Sequence, residues 1–283
     1  VPDRIGNFTK VRVADATNPN CKNISAYNFT IVGRVIVQNI TAGEIWRVAD
    51  PHYINWTPYG TLDTVKIEGS SDNFTTDVFL INASVPAGTH NQSPPVSYYY
   101  PNTADNISDT IRIRVTHNND QSVFGLSPEI KIKGNITVSQ PDGTEVWAVG
   151  ENHTIYWWGY GTVGNVTIKL KYGVSEDTIV ASTATGAQGK NQGSYAWTVG
   201  TDGIGDIKCE TCYIYVYDES DPGNTYGVSA PFAIRPRIEV TSPAYNESLN
   251  MTQSYPNKVN WTMYGNATTS VKIYYSTDGG STY

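Results

Sequence analysis

The stretch Thr144–Gly161, TEVWAVGENHTIYWWGYG, decides how the chain is read. Two runs of alternating apolar residues, Glu145–Val149 and Thr154–Trp158, flank the turn signal Gly150-Glu151-Asn152. Alternation of period two on both sides of a Gly/Asn turn predicts two β-strands and excludes an amphipathic helix. In the second strand Ile155 and Trp157 share one face, with Trp157 the largest residue directed at a core.

The stretch recurs. Upstream, Glu44-Ile45-Trp46-Arg47-Val48 and Ile54-Asn55-Trp56 match Glu145–Val149 and Ile155–Trp157; downstream, Val259-Asn260-Trp261 repeats the second strand. Trp56 and Trp157 are 101 residues apart, and Trp157 and Trp261 are 104 apart. A repeat of about 100 residues is too long for a solenoid unit and has the length of one immunoglobulin-like sandwich. The expected fold is therefore all-β: tandem immunoglobulin-like β-sandwiches, with partial sandwiches at both chain ends.

Composition agrees. The 283 residues hold five leucines, at 62, 80, 126, 170 and 249, while Tyr, Thr, Val, Ile and Trp predominate, which favours strands. The net charge of −7 without a basic cluster argues against a nucleic-acid partner. No apolar run reaches the ~20 residues of a membrane span. Val1-Pro2-Asp3-Arg4 does not read as a signal peptide, so a processed chain or a segment of a longer protein is expected.

In chain order, residues 1–33 read as the C-terminal strands of a sandwich, with Val11-Arg12-Val13 equivalent to Ile113-Arg114-Val115 and Ile214-Tyr215-Val216. Residues 34–134 and 135–236 read as complete modules joined by short links. Residues 237–283 read as the N-terminal strands of a further module, with strands at Ile238-Glu239-Val240, Trp261 and Val271–Ser276. The split ends have two readings: a window cut from a longer array, or subunits that complete one another by strand complementation into a head-to-tail polymer. About 20 residues separate the two halves from a full module.

The chemical signal is a density of Asn-X-Ser/Thr sequons. They fall at Asn7, Asn23, Asn28, Asn39, Asn55, Asn73, Asn82, Asn91, Asn106, Asn135, Asn152, Asn165, Asn246, Asn250, Asn260 and Asn266, sixteen of 24 asparagines. Chance would give roughly five, so covalent N-glycans and an extracellular or cell-surface location are expected. Strand alternation places Asn28, Asn55, Asn165 and Asn260 on outward faces.

Other signals are weaker. Cys209-Glu210-Thr211-Cys212 lacks the second CxxC or paired His of a metal site and the βαβ context of a redox motif. An extended tetrapeptide holds its ends too far apart for a disulfide, so a bridge here requires a tight turn, and such a local staple is the expectation. Cys21 is either free or bridged to a neighbouring chain. The acidic loop around Asp218 and Asp221 could hold Ca²⁺, but it lacks the spacing of a dedicated calcium loop, and a solvated loop is the preferred reading. His52 and His153 precede the Trp strands and read as turn residues. Trp158 and Tyr98-Tyr99-Tyr100 offer aromatic faces, read as packing surfaces in preference to sugar platforms. No Ser/His/Asp arrangement or paired carboxylate asks for an enzyme.

The second module, ITVSQPDGTEVWAVGENHTIYWW through CYIYVYDESDPGNTYGVSAPFAI, resembles the Ser/Thr-rich GPI-anchored, or yeast glucan-synthesis N-terminal, immunoglobulin-like family. The matching residues are Pro141, Gly143, Glu145, Trp147, Gly150, Trp157, Trp197, Asp221, Ser229 and Phe232, and the hairpin signal Ser276–Thr282 also matches. The first module departs, with Ile40-Thr41-Ala42 where Pro-Asp-Gly stands in the second. The resemblance implies a surface protein of fungal walls or of archaeal or bacterial envelopes; N-glycosylated surface polymers of this kind make archaea the expected source. The expected function is a glycosylated extracellular structural protein building a filament, sheath or surface layer from copies of itself. The alternatives are an adhesin or carbohydrate-binding array, and the stalk of a larger enzyme.

Overall fold

The computed structural model describes residues 4–100, 105–185, 189–200, 204–205, 207–244, 246–247, 259–265 and 270–283. Two contact-defined units, residues 1–134 and 135–283, each contain one complete sandwich.

The first unit opens with four short strands: β1 (Gly6–Thr9), β2 (Arg12–Ala14), β3 (Lys22–Ile24) and β4 (Phe29–Ile31). Its sandwich follows, with β5 (Arg34–Gln38), β6 (Ile45–Arg47), β7 (His52–Tyr59), β8 (Thr64–Ser70), β9 (Val78–Pro86), β10 (Val96–Tyr100), β11 (Ser108–His117), β12 (Phe124–Leu126) and β13 (Ile130–Lys133). One sheet runs β10-β7-β5; the other runs β6-β13-β11-β8-β9, with β12 on β11. The β6–β13 pair is parallel, Ile132 opposite Trp46, while the other pairs of this sandwich are antiparallel.

The second unit repeats the plan with β14 (Asn135–Gln140), β15 (Val146–Ala148), β16 (Asn152–Gly161), β17 (Asn165–Tyr172), β18 (Ser175–Ala184), β19 (Gly189–Thr198), β20 (Cys209–Asp218), β21 (Tyr226–Val228) and β22 (Phe232–Arg235). Its sheets run β14-β16-β19 and β15-β22-β20-β17-β18, with β21 on β20, and β15–β22 is again parallel. β23 (Arg237–Ser242) and β24 (Asn260–Tyr264) pair antiparallel and are the last strands among the described residues. The chain thus contains two all-β sandwiches of the immunoglobulin or fibronectin III kind in tandem.

The alternation read in the sequence directs the cores. Ile54 and Trp56 of β7, and Ile155 and Trp157 of β16, are buried together with Ile113, Val115, Ile214 and Val216. Trp46 and Trp147 are also buried, and each carries a histidine: His52 stacks on Trp46 and His153 on Trp147. Those histidines lie within β7 and β16. This corrects the turn reading: the flat stack fixes each imidazole at the start of the strand.

Glu44 and Glu145 secure the link between the two sheets. Glu44 accepts from the Thr41 N–H at 2.9 Å and from Trp46 Nε1 at 2.9 Å. Glu145 accepts from the Asp142 N–H at 2.9 Å and the Gly143 N–H at 3.0 Å. The Ile40-Thr41-Ala42 departure therefore leaves the carboxylate's role unchanged. Ser127 and Ser229 also correspond: each accepts from a β11 or β20 N–H, that of Ile113 or Ile214, at 2.9 Å.

Two features differ from expectation. Residues 271–276 form no strand. Their equivalents, β8 and β17, are held by ladders on both edges, and without such partners apolar alternation does not make a strand. The short strands β12 and β21 were not anticipated. Three residues carry too little alternation to read, and each centres on a glycine whose added Cβ would lie 2.6 Å from Val35 O or 2.5 Å from Ile136 O.

Candidate glycosylation and assembly surfaces

Fourteen sequon asparagines lie in the described residues; Asn250 and Asn266 lie outside them. None of the fourteen is buried: Asn7, Asn23, Asn28, Asn39, Asn73, Asn91, Asn152, Asn165, Asn246 and Asn260 are exposed, and Asn55, Asn82, Asn106 and Asn135 are half-buried. Asn39, Asn73, Asn91 and Asn246 have positive φ, a conformation asparagine tolerates better than most residues. At these four the turn supplies a reason for Asn independent of any glycan.

Asn55 lies on the strand face opposite buried Ile54 and Trp56, but it is half-buried there. Its Oδ1 is buried without a hydrogen-bond partner, and the sequon hydroxyl of Thr57 is 4 % exposed, 3.3 Å from Gln38 Oε1. In a strand the residues at i and i+2 share a face, so burial of Thr57 also covers the side from which Asn55 would be modified. Asn82 donates from Nδ2, the atom that carries an N-glycan, to the Tyr98 hydroxyl at 3.1 Å.

The Cys209–Cys212 disulfide is formed, with Cα atoms 5.9 Å apart. It does not close a tight turn. Both cysteines lie in β20, and a register shift against β22 between them shortens the span. Cys21 is exposed and in no disulfide.

Asp218, weighed with Asp221 for Ca²⁺, is the last residue of β20 and is buried. Its Oδ1 accepts from the Ser220 N–H at 2.8 Å and the Asp221 N–H at 3.0 Å, and its Oδ2 from the Gly164 N–H at 3.2 Å. Asp221 Oδ1 accepts from Asn224 at 2.8 Å. These lone pairs hold the turn together, and no group of acidic, His or Cys residues able to hold a metal occurs among the described residues.

Of the aromatic candidates, Tyr100 is buried, Tyr98 and Trp158 are half-buried and Tyr99 is exposed. Tyr99 meets exposed Tyr53 edge-on at 5.6 Å. A second aromatic surface was missed. Tyr215 and Tyr217 stack at 5.7 Å, Tyr226 joins Tyr217 at 5.8 Å, and Lys171 sits over Tyr215 at 4.1 Å. Glu176 pairs with Lys169 at 2.6 Å and Lys171 at 2.8 Å, and holds the Lys171 ammonium well above its usual pKa. The alternation Tyr213-x-Tyr215-x-Tyr217 was its only sequence signal.

The terminal segments expose the residues that face inward in the complete sandwiches. At the N-terminal end Val11, Val13 and Phe29 are exposed; at the C-terminal end Ile238, Val240, Ile273 and Tyr275 are. The latter four, with Val259 and Trp261, line a groove of about 390 Å³.

No family model matches this chain, and no curated protein does. Solved structures that align include fibronectin(III)-like modules of Clostridium thermocellum CbhA, at 14 % identity, 71 % of this chain, 92 % of that chain and a TM-score of 0.22. The titin domains Z1Z2 in complex with telethonin align at 9 % identity, 71 % and 96 % coverage and a TM-score of 0.21. Scores this low carry no argument by themselves; the strand order and the parallel β6–β13 and β15–β22 pairs place the chain among tandem immunoglobulin-like or fibronectin III-like β-sandwich proteins.

Proposed function

We propose that this chain is a densely N-glycosylated, non-catalytic structural protein of the cell surface, whose copies associate into a filament, sheath or surface layer. The observation that carries this reading is the sequon distribution: sixteen sequons, with none of the fourteen described asparagines buried. Glycans spread over strands and turns would shield sheet edges from unwanted pairing. Membership of the Ser/Thr-rich GPI-anchored family belongs to the same proposal and rests on the motif residues of the second module; an archaeal source rests on the density of sequons.

Intact mass before and after deglycosylation tests the glycan part; a mass equal to the bare polypeptide would refute it. Electron microscopy of native material tests the assembly part, and isolated flexible rods would refute that. A carbohydrate-binding adhesin is the second reading, favoured by the exposed Tyr53–Tyr99 pair. Sugar binding on a glycan array, lost on Tyr99→Ala, would select it.

A further inference from the structure

Asn165 opens β17, and its sequon lies along that strand. Asn165, Thr167, Lys169 and Lys171 alternate with buried Val166, Ile168 and Leu170, so all four share the outer face of the sheet. β20 runs beside them, with Tyr217 opposite Thr167 and Tyr215 opposite Lys169. One same-face step beyond Tyr217 comes Glu219, whose N–H donates to Asn165 O at 3.0 Å. Tyr215 stacks on Tyr217 from one direction along β20; Glu219 and Asn165 stand in the other.

The surface next to Asn165 is a groove. Thr167, Lys169, Tyr217 and Glu219 help to line a volume of about 410 Å³, within the roughly 300–1,000 Å³ of small-molecule sites. Tyr226 widens its aromatic side, 5.8 Å from Tyr217. Asn165 Nδ2 donates to Ser182 Oγ at 3.2 Å, which uses one of its two hydrogens. N-glycosylation replaces the other: the anomeric carbon of the first sugar bonds to Nδ2, and the phosphate of an activated lipid-linked donor leaves as the proton is lost.

The first sandwich lacks both halves of this arrangement. There Thr64 O accepts from the Asn118 N–H at 3.0 Å, which puts Thr64 at the position of Asn165. The register then sets Thr116 at the position of Tyr217, Arg114 at that of Tyr215 and Phe124 at that of Tyr226. Thr64 begins no sequon, Thr116 is buried, and Asn118 Nδ2 donates to Thr64 Oγ1 at 2.9 Å. The two β20 tyrosines thus accompany the sequon in one sandwich and are absent with it in the other.

We infer that the Tyr217 end of this stack is the surface on which the N-glycan of Asn165 rests, its first pyranose lying against the ring. The C–H bonds of a pyranose face present partial positive charge to the negative face of an aromatic ring. The Lys169 ammonium, which gives one of its three hydrogens to Glu176, and the exposed Glu219 flank the ring with a donor and an acceptor for sugar hydroxyls. A covalently attached sugar starts at the end of the groove, so its docking is intramolecular and avoids most of the cost of association. The inference rests on the glycosylation reading above and adds where one glycan lies and what holds it.

The full chain, produced in a host that N-glycosylates it, tests this. Glycopeptide mapping reads the occupancy of Asn165. With Asn165 occupied, the ring current of Tyr217 should shift protons of the first sugar upfield in NMR spectra. Tyr217→Thr, which matches the side chain at position 116, should remove that shift. Asn165→Gln should raise the unfolding equilibrium constant of the second sandwich roughly three- to tenfold, and less than about twofold in a Tyr217→Thr background. Tyr99→Ala, on the first sandwich, should change neither result. An occupied Asn165 with unshifted sugar protons and equal effects in both backgrounds would overturn the inference and leave the glycosylation reading standing. So would a bare Asn165 beside other occupied sequons. Tyr217-dependent binding of added chitotriose to the Asn165→Gln chain, without that coupling, would give the groove to a free sugar and overturn the inference too. Bare asparagines throughout would remove both readings.

Discussion

The imidazole of His52 lies flat on the indole of Trp46, 4.5 Å between centroids and 8° between planes, and His153 repeats the arrangement on Trp147 at 4.6 Å and 6°. Burial, the largest influence, lowers the His52 pKa below 6.5 against the opposing pull of Asp50, and its buried Nε2 has no hydrogen-bond partner. The folded state thus favours neutral His52. The associated stability is complete above the unfolded imidazole pKa and is lost as pH falls from about 6.5 through the lower folded value. The first sandwich should lose thermal stability between pH 7.5 and 5, and His52→Phe, which keeps a flat ring, should flatten that dependence in calorimetry. An unchanged pH slope in the variant would sink the assignment.

Gly193 stands opposite Trp157 in the β16–β19 pair, and a Cβ there would lie 2.2 Å from the indole. Gly193→Ala should therefore cost about 1–3 kcal/mol by overpacking, and Trp157→Ala about 3–5 kcal/mol by emptying the core. The double variant should cost less than the sum, because the added methyl enters the space the indole leaves. Denaturant titration of the three variants measures this; strict additivity would contradict the contact.

The sequons should not be used equally. Asn165 is exposed, whereas Asn55 lies beside buried Thr57. Asn165→Gln should remove the mass of one glycan, and Asn55→Gln should leave the intact mass unchanged apart from the substitution itself. Glycopeptide mapping that finds Asn55 fully occupied would show that modification precedes folding of β7.

The Cys209–Cys212 disulfide closes a short loop inside a strand that already has neighbours on both sides. Chain-entropy arguments allow it about 2 kcal/mol. Replacing both cysteines with alanine should lower the unfolding free energy of the second sandwich by no more than about that amount and leave it folded. Loss of β-structure by circular dichroism would mean that the bridge does more than staple the bulge.

The sequence by itself determined the all-β class, the repeat of about 100 residues and most of the strands. Local alternation suffices for that: Ile54, Trp56, Ile155 and Trp157 are inward because every second side chain shares a face. It also placed the sequons, which are covalent motifs and need no fold to be recognised. What it left open depends on groups distant in the chain. The bulge that brings Cys209 to Cys212 exists only against β22, the burial of Thr57 only beside Gln38, and the Trp–His stacks only once β6 and β7 lie in different sheets. Residues 271–276 draw the boundary between the two. Their pattern is that of a strand, but a strand is completed by hydrogen bonds to another strand, and pairing across 50 or 100 residues is decided in three dimensions.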